Sequence, residues 1–211
     1  MSAIYKSSYP NFFKPYFSQV FMTKGMYHKI REAWKKPDAK VLRDRMIEWR
    51  KSNALVKVDK PLRLDRARSL GYKAKKGVVV IRVRLKRGGH KKPRPNKGRR
   101  SKRMTIRKTL KMSYQWIAEQ RAERKFTNLI VLNSYPIGKD GMHYFFEVIM
   151  IDPDKPEIKS DKQLSFVTKS SNKKRAMRGL TSSAKKSRGL MDKSPSSKTR
   201  PSVRAGKRRG K

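Results

Sequence analysis

Between Arg82 and Lys108 the chain carries 14 lysines and arginines and no acidic residue. The wider stretch from Arg66 to Ala118 holds 20 such cations, again without one acid. Packed like charges repel one another and gain nothing from a core. Their chemistry is instead neutralisation of an external polyanion. The whole chain agrees, with 58 basic against 15 acidic residues among 211, a net charge of +43 and a pI near 11.1. Nucleic acid is the natural counter-polymer, because its condensed counterions are released when lysine and arginine replace them. A membrane surface would ask for amphipathic basic helices or a spanning segment, and neither dominates this sequence.

Residue types suited to catalysis do not fall into a pattern. His28, His90 and His143 are far apart, with no ligand-like spacing. Cysteine is absent, which excludes disulfides, Cys-containing zinc sites and thiol catalysis. There is no HExxH, Gly-x-Ser-x-Gly or P-loop motif, and no RRM, KH or zinc-knuckle signature. Asp140, Glu147, Asp152 and Asp154 lie close in sequence. Asp140 is expected to serve a turn and Asp152 to end a strand rather than to build a two-metal centre. No cofactor, metal or small-molecule substrate is implied.

The elements that would position the cations can be read from periodicity. Val79, Ile81, Val83 and Leu85 alternate with Val80, Arg82, Arg84 and Lys86, the period of a strand with one apolar and one increasingly basic face. Residues two apart on a strand are about 7 Å apart, so the cations form a row suited to a phosphate backbone. Gly88-Gly89 to Arg107 has almost nothing to bury and is expected to order only on nucleic acid. Met26, Ile30 and Trp34 mark a helix face ended by Pro37, and Asp38 is placed to cap a second helix carrying Leu42, Met46 and Trp49. The tryptophans are read as core. Residues 61–70 read as a short helix stopped by Gly71. Residues 110–126 read as a helix whose Glu119 and Glu123 lie on a solvent face of mixed charge. Residues 129–135 and 142–151 read as two strands joined by a loop over 136–141. The second strand is apolar on both faces apart from Glu147, which puts it at the centre of a sheet.

Three regions follow. Residues 1–21 hold seven aromatics and two charged residues, Lys6 and Lys14. They read either as the product of an upstream start codon, with initiation at Met22 or Met26, or as an aromatic arm that docks on a partner or stacks on bases. Residues 22–168 form a mixed core with a basic loop over 87–108. Residues 169–211 form a basic extension with 16 cations and one acid, Asp192; such a composition does not fold by itself. Within it Arg178-Gly179-Leu180 recurs as Arg188-Gly189-Leu190.

Several runs carry a family resemblance. The run from Arg68-Ser69-Leu70-Gly71-Tyr72 through Lys76-Gly77, leading to Arg87-Gly88-Gly89, resembles the archaeal and eukaryotic-type large-subunit ribosomal protein family numbered fifteen, unrelated to the bacterial protein of that number. Ala118-Glu119-Gln120-Arg121-Ala122, Val131-Leu132-Asn133-Ser134-Tyr135, the run from Phe146 to Pro153, and the segment from Arg178 to Leu190 resemble it too. The closing run from Arg204 to Lys211 is similar to the archaeal branch. The resemblance covers about residues 22–211. It departs over 1–21, and at Ala184, where the family pattern implies a glycine before the paired lysines.

The resemblance implies an α+β fold: a small antiparallel sheet with helices in α/β/α layers, plus a long basic loop and C-terminal extension. It implies a structural, non-enzymatic component of the cytoplasmic large ribosomal subunit, with ribosomal RNA and neighbouring ribosomal proteins as partners and no membrane. The candidate RNA-binding residues are Arg82, Arg84 and Lys86 on the strand. On the loop they are Arg87, Lys91, Lys92, Arg94, Lys97, Arg99, Arg100, Lys102 and Arg103. On the extension they are Arg178, Lys185, Lys186, Arg188, Arg204, Lys207, Arg208 and Arg209. Two other classes share the charge: a chromatin-type architectural protein, which would prefer duplex DNA, and an RNA-processing enzyme, which would need convergent carboxylates beside the basic face.

Overall fold

The structure is a computed structural model that describes residues 24–91, 98, 107–108, 110 and 112–191. The aromatic segment 1–21, with its start-codon reading, and the tail from 192 onward lie outside the described residues.

Two helices open the described chain, α1 (Met26–Lys35) and α2 (Ala39–Lys51). Pro37 separates them, and the Asp38 carboxylate accepts from Lys40 N at 2.8 Å, the expected cap. A short strand β1 (Leu55–Val58) follows, then α3 (Leu64–Ser69). Gly71, at φ 96°, supplies the left-handed step that ends α3. Gly77, at φ 89°, opens β2 (Val78–Lys86); a Cβ there would sit 3.0 Å from Ile158 and Lys155. The basic loop starts and finishes as a two-residue ladder, β3 (His90–Lys91) against β4 (Arg107–Lys108). Helix α4 (Tyr114–Lys125) is capped by Ser113, which accepts from Trp116 N. Strands β5 (Ile130–Lys139) and β6 (His143–Ile151) come next, then α5 (Pro156–Lys159), two 3-10 turns and α6 (Ser182–Ser187).

The main sheet has the order β1-β2-β6-β5, all antiparallel. β6 is central and buried from Phe145 to Ile151, as its two apolar faces predict. One sheet face meets Trp49 of α2, Ala67 of α3 and Ile158 of α5 around Phe145, Ile149 and Ile151. The Trp49 and Phe145 rings lie 5.3 Å apart. On the other face Ala118 and Ala122 of α4 pack on Ile81, Val83, Val148 and Met150. Each fully buried Ile, Val or Phe contributes about 1.5–3 kcal/mol. The result is three layers, α/β/α.

Four features depart from the sequence reading. β1 was not foreseen, because four residues of which one is lysine give too short an alternation. β5 runs through Pro136 to Lys139, so the turn is shorter than 136–141. Pro136 is tolerated because β5 is an edge strand, and the ladder shifts register between Pro136 and Gly138. Glu119 and Glu123 are not on a solvent face: they are 0% and 5% exposed. The extension supplies the reason. Its first part folds back on α4, burying Ala176, Thr181 and Ala184. Ala184 sits in α6, where right-handed helical backbone needs no glycine.

Candidate nucleic-acid interface

The basic row on β2 runs from covered to open. Arg82 is half-buried. Its guanidinium lies 5.3 Å from the Trp49 ring centre, reaches Ser52 Oγ at 3.4 Å, and stands opposite Glu147 in the β2–β6 register. Burial pulls the Arg82 pKa down, and the charges of Glu48 and Glu147 offset part of that. Arg84 donates to the Arg50 carbonyl. Lys86 and Arg87 are exposed. Arg87 stacks on the Tyr144 ring at 5.0 Å and donates to the Asp140 carbonyl at 2.8 Å. The alternation was therefore legible, but α2 covers the inner half of the basic face. Arg82 and Arg84 tie α2 to the sheet; Lys86 and Arg87 face outward beside the loop.

The loop root and the extension meet at one end of α4. Gly88 N donates to the Tyr114 hydroxyl at 2.8 Å, and Ser113 N donates to Ser187 Oγ at 2.9 Å. The first residues of α4 thus bring the start of the basic loop beside the end of α6. Lys185 and Lys186 are exposed in the last turn of α6. Arg188 donates to the Gly179 carbonyl at 3.0 Å and is half-buried, so it also braces the extension. Arg178 is exposed and donates to the Ser171 carbonyl. Lys91 is placed in β3 by its backbone. Lys92, Arg94, Lys97, Arg99, Arg100, Lys102, Arg103, Arg204, Lys207, Arg208 and Arg209 lie outside the described residues.

Buried carboxylates along α4 hold the extension in place. Glu119 Oε2 accepts from Thr181 Oγ1 at 2.6 Å, and its other oxygen accepts from Ser134 Oγ. Thr181 also caps α6 by accepting from Ala184 N at 3.4 Å. Burial pushes the Glu119 carboxyl above the usual carboxylate range, while the hydroxyls of Ser134, Ser183 and Thr181 pull it back. Glu123 accepts from Met177 N at 2.9 Å and Ala176 N at 3.4 Å. Arg175 stacks on Phe166 at 5.5 Å. Burial lowers its pKa, and the charges of Glu119 and Glu123 oppose that.

Three of the four carboxylates weighed for a metal centre are separately employed, and Asp154 takes part through its backbone N–H. Asp140 Oδ1 accepts from Met142 N and His143 N in the β5–β6 turn. Asp152 accepts from Asp154 N at 3.1 Å. Glu147 is buried and accepts from the Tyr135 hydroxyl and from Leu62 N. Among the described residues no three His, Asp or Glu side chains converge as a metal site. No helix among them is long and apolar enough to cross a membrane.

A second cationic surface escaped the sequence reading. Arg63 lies 5.0 Å from the Trp34 ring centre, and Arg68 lies 5.5 Å from that of Tyr27 and donates to its hydroxyl. Arg63 lines a pocket beside α1 and α3 together with Arg31, Arg66 and Asp65. The signal was present, since the acid-free stretch begins at Arg66. The pairing with α1 aromatics is tertiary.

The geometry defines a class: a small, strongly basic, three-layered α+β protein in which the exposed cations Lys86 and Arg87 at the loop root and Lys185 and Lys186 of α6 lie at one end of α4. The family follows from comparison. The family model described as Ribosomal L15, of the L15e type, matches residues 25–206. The chain is 50% identical over 196 residues to the large ribosomal subunit protein eL15 of Methanocella arvoryzae, covering 90% of this chain and 100% of that one. The chain belongs to the eukaryotic-type ribosomal protein L15 family, in its archaeal branch.

Proposed function

We propose that this protein is a structural constituent of the large ribosomal subunit, located with it in the cytoplasm. It binds and stabilises large-subunit ribosomal RNA through the basic loop and extension, beside neighbouring ribosomal proteins, and carries no enzymatic activity. The observation that supports this most is the convergence at α4. Lys86 and Arg87 at the loop root and Lys185 and Lys186 on α6 are exposed around Ser113 and Tyr114. The loop cations Lys91, Lys92, Arg94, Lys97, Arg99, Arg100, Lys102 and Arg103 serve as phosphate-binding groups. The tail, with Arg204, Lys207, Arg208 and Arg209, does the same.

Crowded guanidinium and ammonium groups are stable only where phosphates are equally crowded, as between packed RNA helices. A-form RNA hides its base edges in a deep, narrow major groove, so loop and tail recognise backbone shape, phosphates and 2′-hydroxyls. Crosslinking in cells, followed by sequencing of the attached nucleic acid, tests the reading. Large-subunit ribosomal RNA is the expected product. A spread of genomic DNA would favour a chromatin-type architectural protein, and a spread of messenger RNAs would likewise overturn the ribosomal assignment.

A further inference from the structure

A cavity of about 420 Å³ opens where α4 ends and the extension crosses it. It lies away from the Ser113–Ser187 end where the cations discussed above converge. Its floor is apolar: Leu129 and Ile130, 8% and 5% exposed, with Pro153 beside them. Met177 stands at the mouth with 36% of its surface exposed. Arg124 of α4 and Lys173 and Lys174 of the extension also line the cavity, its two cationic lips being named for these two elements. Lys174 has φ 52°, the only non-glycine left-handed residue among those described. Such a conformation costs a lysine energy and persists only where surrounding structure imposes it, which is common at ligand clamps.

We infer that this cavity receives one unpaired nucleotide of the RNA, its base extruded onto the apolar floor and its flanking phosphates on the two cationic lips. The inference rests on the RNA-binding reading above and adds to it a site that recognises a base. The chemistry of the lining favours this occupant over an apolar side chain of another protein. Thr127 and Asn128 line the cavity, and neither side chain makes a hydrogen bond among the described residues. An asparagine amide offers one acceptor and two donors, the complement of a base edge. An apolar occupant would bury that amide without a partner. It would also leave the net positive charge of the lining, three cations against the carboxylates Glu123 and Asp154, unmet. Asp154 at the same cavity accepts from an exocyclic amino group, whereas Glu123 is already committed to Ala176 and Met177 amides. The thioether of Met177 is a soft surface for the aromatic ring.

The test uses the full chain bound to full-length large-subunit RNA of the same organism. A photoreactive methionine analogue at position 177 should crosslink to a single unpaired nucleotide. Thr127→Trp fills the cavity from an exposed position. It should abolish that crosslink and weaken binding about 10-fold, the order expected for one stacked base. The slope of log K against log salt should not change, because no cation is removed. Asn128→Ala should weaken binding in the same direction with less effect on packing; thermal midpoints of both variants establish that the fold is intact. RNA made abasic at the crosslinked nucleotide should lose about 10-fold with the native chain and nothing further with Thr127→Trp. Crosslinks from position 177 to a protein, or to paired nucleotides, would overturn the inference. So would native affinity and an undiminished crosslink in Thr127→Trp. RNA binding that stays intact in these outcomes leaves the proposed function standing. Failure to recover ribosomal RNA at all would instead remove that function.

Discussion

At the scale of single residues, the most informative groups are acids in a basic protein. Asp161 accepts from Lys73 Nζ at 2.8 and 3.0 Å, from Lys75 Nζ at 2.8 Å and from Gln163 N at 2.9 Å. Those lysines hold its carboxyl well below the usual range; two lysine side chains cover it, though it does not lie deep in the core. A lowered carboxylate pKa contributes stability that is present above the ordinary value of 3.8 and lost as pH falls through the folded value. Asp161→Asn should therefore lower the thermal midpoint at pH 7, and its difference from the native chain should shrink below about pH 4. Glu119 has the opposite sign. Burial raises its pKa, so its contribution is full below the ordinary 4.5 and declines as pH rises through the folded value. Native stability should thus fall relative to Glu119→Gln as pH is raised from 4.5. Glu119→Ala should cost about 2–4 kcal/mol in denaturant unfolding, because it strands the Ser134 and Thr181 hydroxyls and opens a hole. A cost below about 0.5 kcal/mol would mean that water replaces the carboxylate freely.

At the scale of elements, α4 is the joint of the molecule. One side packs Ala118 and Ala122 on the sheet, and its glutamates bind the extension. A chain ended after Thr168 loses the burial of Ala176, Thr181 and Ala184, returns Glu119 and Glu123 toward water and removes the donors that the extension gives them. Its thermal midpoint should fall by about 4–8 °C, the scale of two kcal/mol in a domain this size. A chain ended after Met191 keeps every one of these contacts and should melt within about 2 °C of the full chain. Equal midpoints for the two truncations would show that the extension adds nothing to the core. Hydrogen exchange on the RNA-free protein offers a separate check: amides of Ala176, Met177 and Lys185, all bonded internally, should be protected.

At the scale of the whole molecule, net charge sets two salt dependences of opposite sign. With +43 charges the free chain repels itself, so its thermal midpoint should rise as salt screens that repulsion. Affinity for RNA should fall over the same range, because counterion release is the driving term. Replacing Arg99, Arg100, Lys102 and Arg103 by glutamine should reduce the slope of log K against log salt by about 0.7–0.9 per lost phosphate contact, roughly three units in all. The loss should be similar for RNAs of one fold and different sequence, because phosphate contacts carry no base information. The midpoint of the free protein should hold or rise in the same variant. An unchanged slope would show that these cations are merely solvated.

Local pattern and composition determined a good part of this protein. Alternation along Val79–Lys86 gave the strand and its core face. Apolar runs on both sides of Glu147 gave the central position of β6, and Asp38 and Gly71 marked helix ends where they occur. These succeed because capping, turn and pleat chemistry act over a few residues. The charge points to nucleic acid as the partner class for the same reason: it needs no fold to be counted. Tertiary structure alone decided which polar groups are buried. Glu119 and Glu123 have the spacing of a solvent face, and only the return of residues 170–191 across α4 removes them from water. Arg82 and Arg84 sit on the polar face of β2, and only the docking of α2, with Trp49 over Arg82, turns them inward. The cavity beside Lys174 joins residues about fifty apart in the chain. Burial is a property of what packs against a residue, and that partner is set by long-range contacts no local window contains.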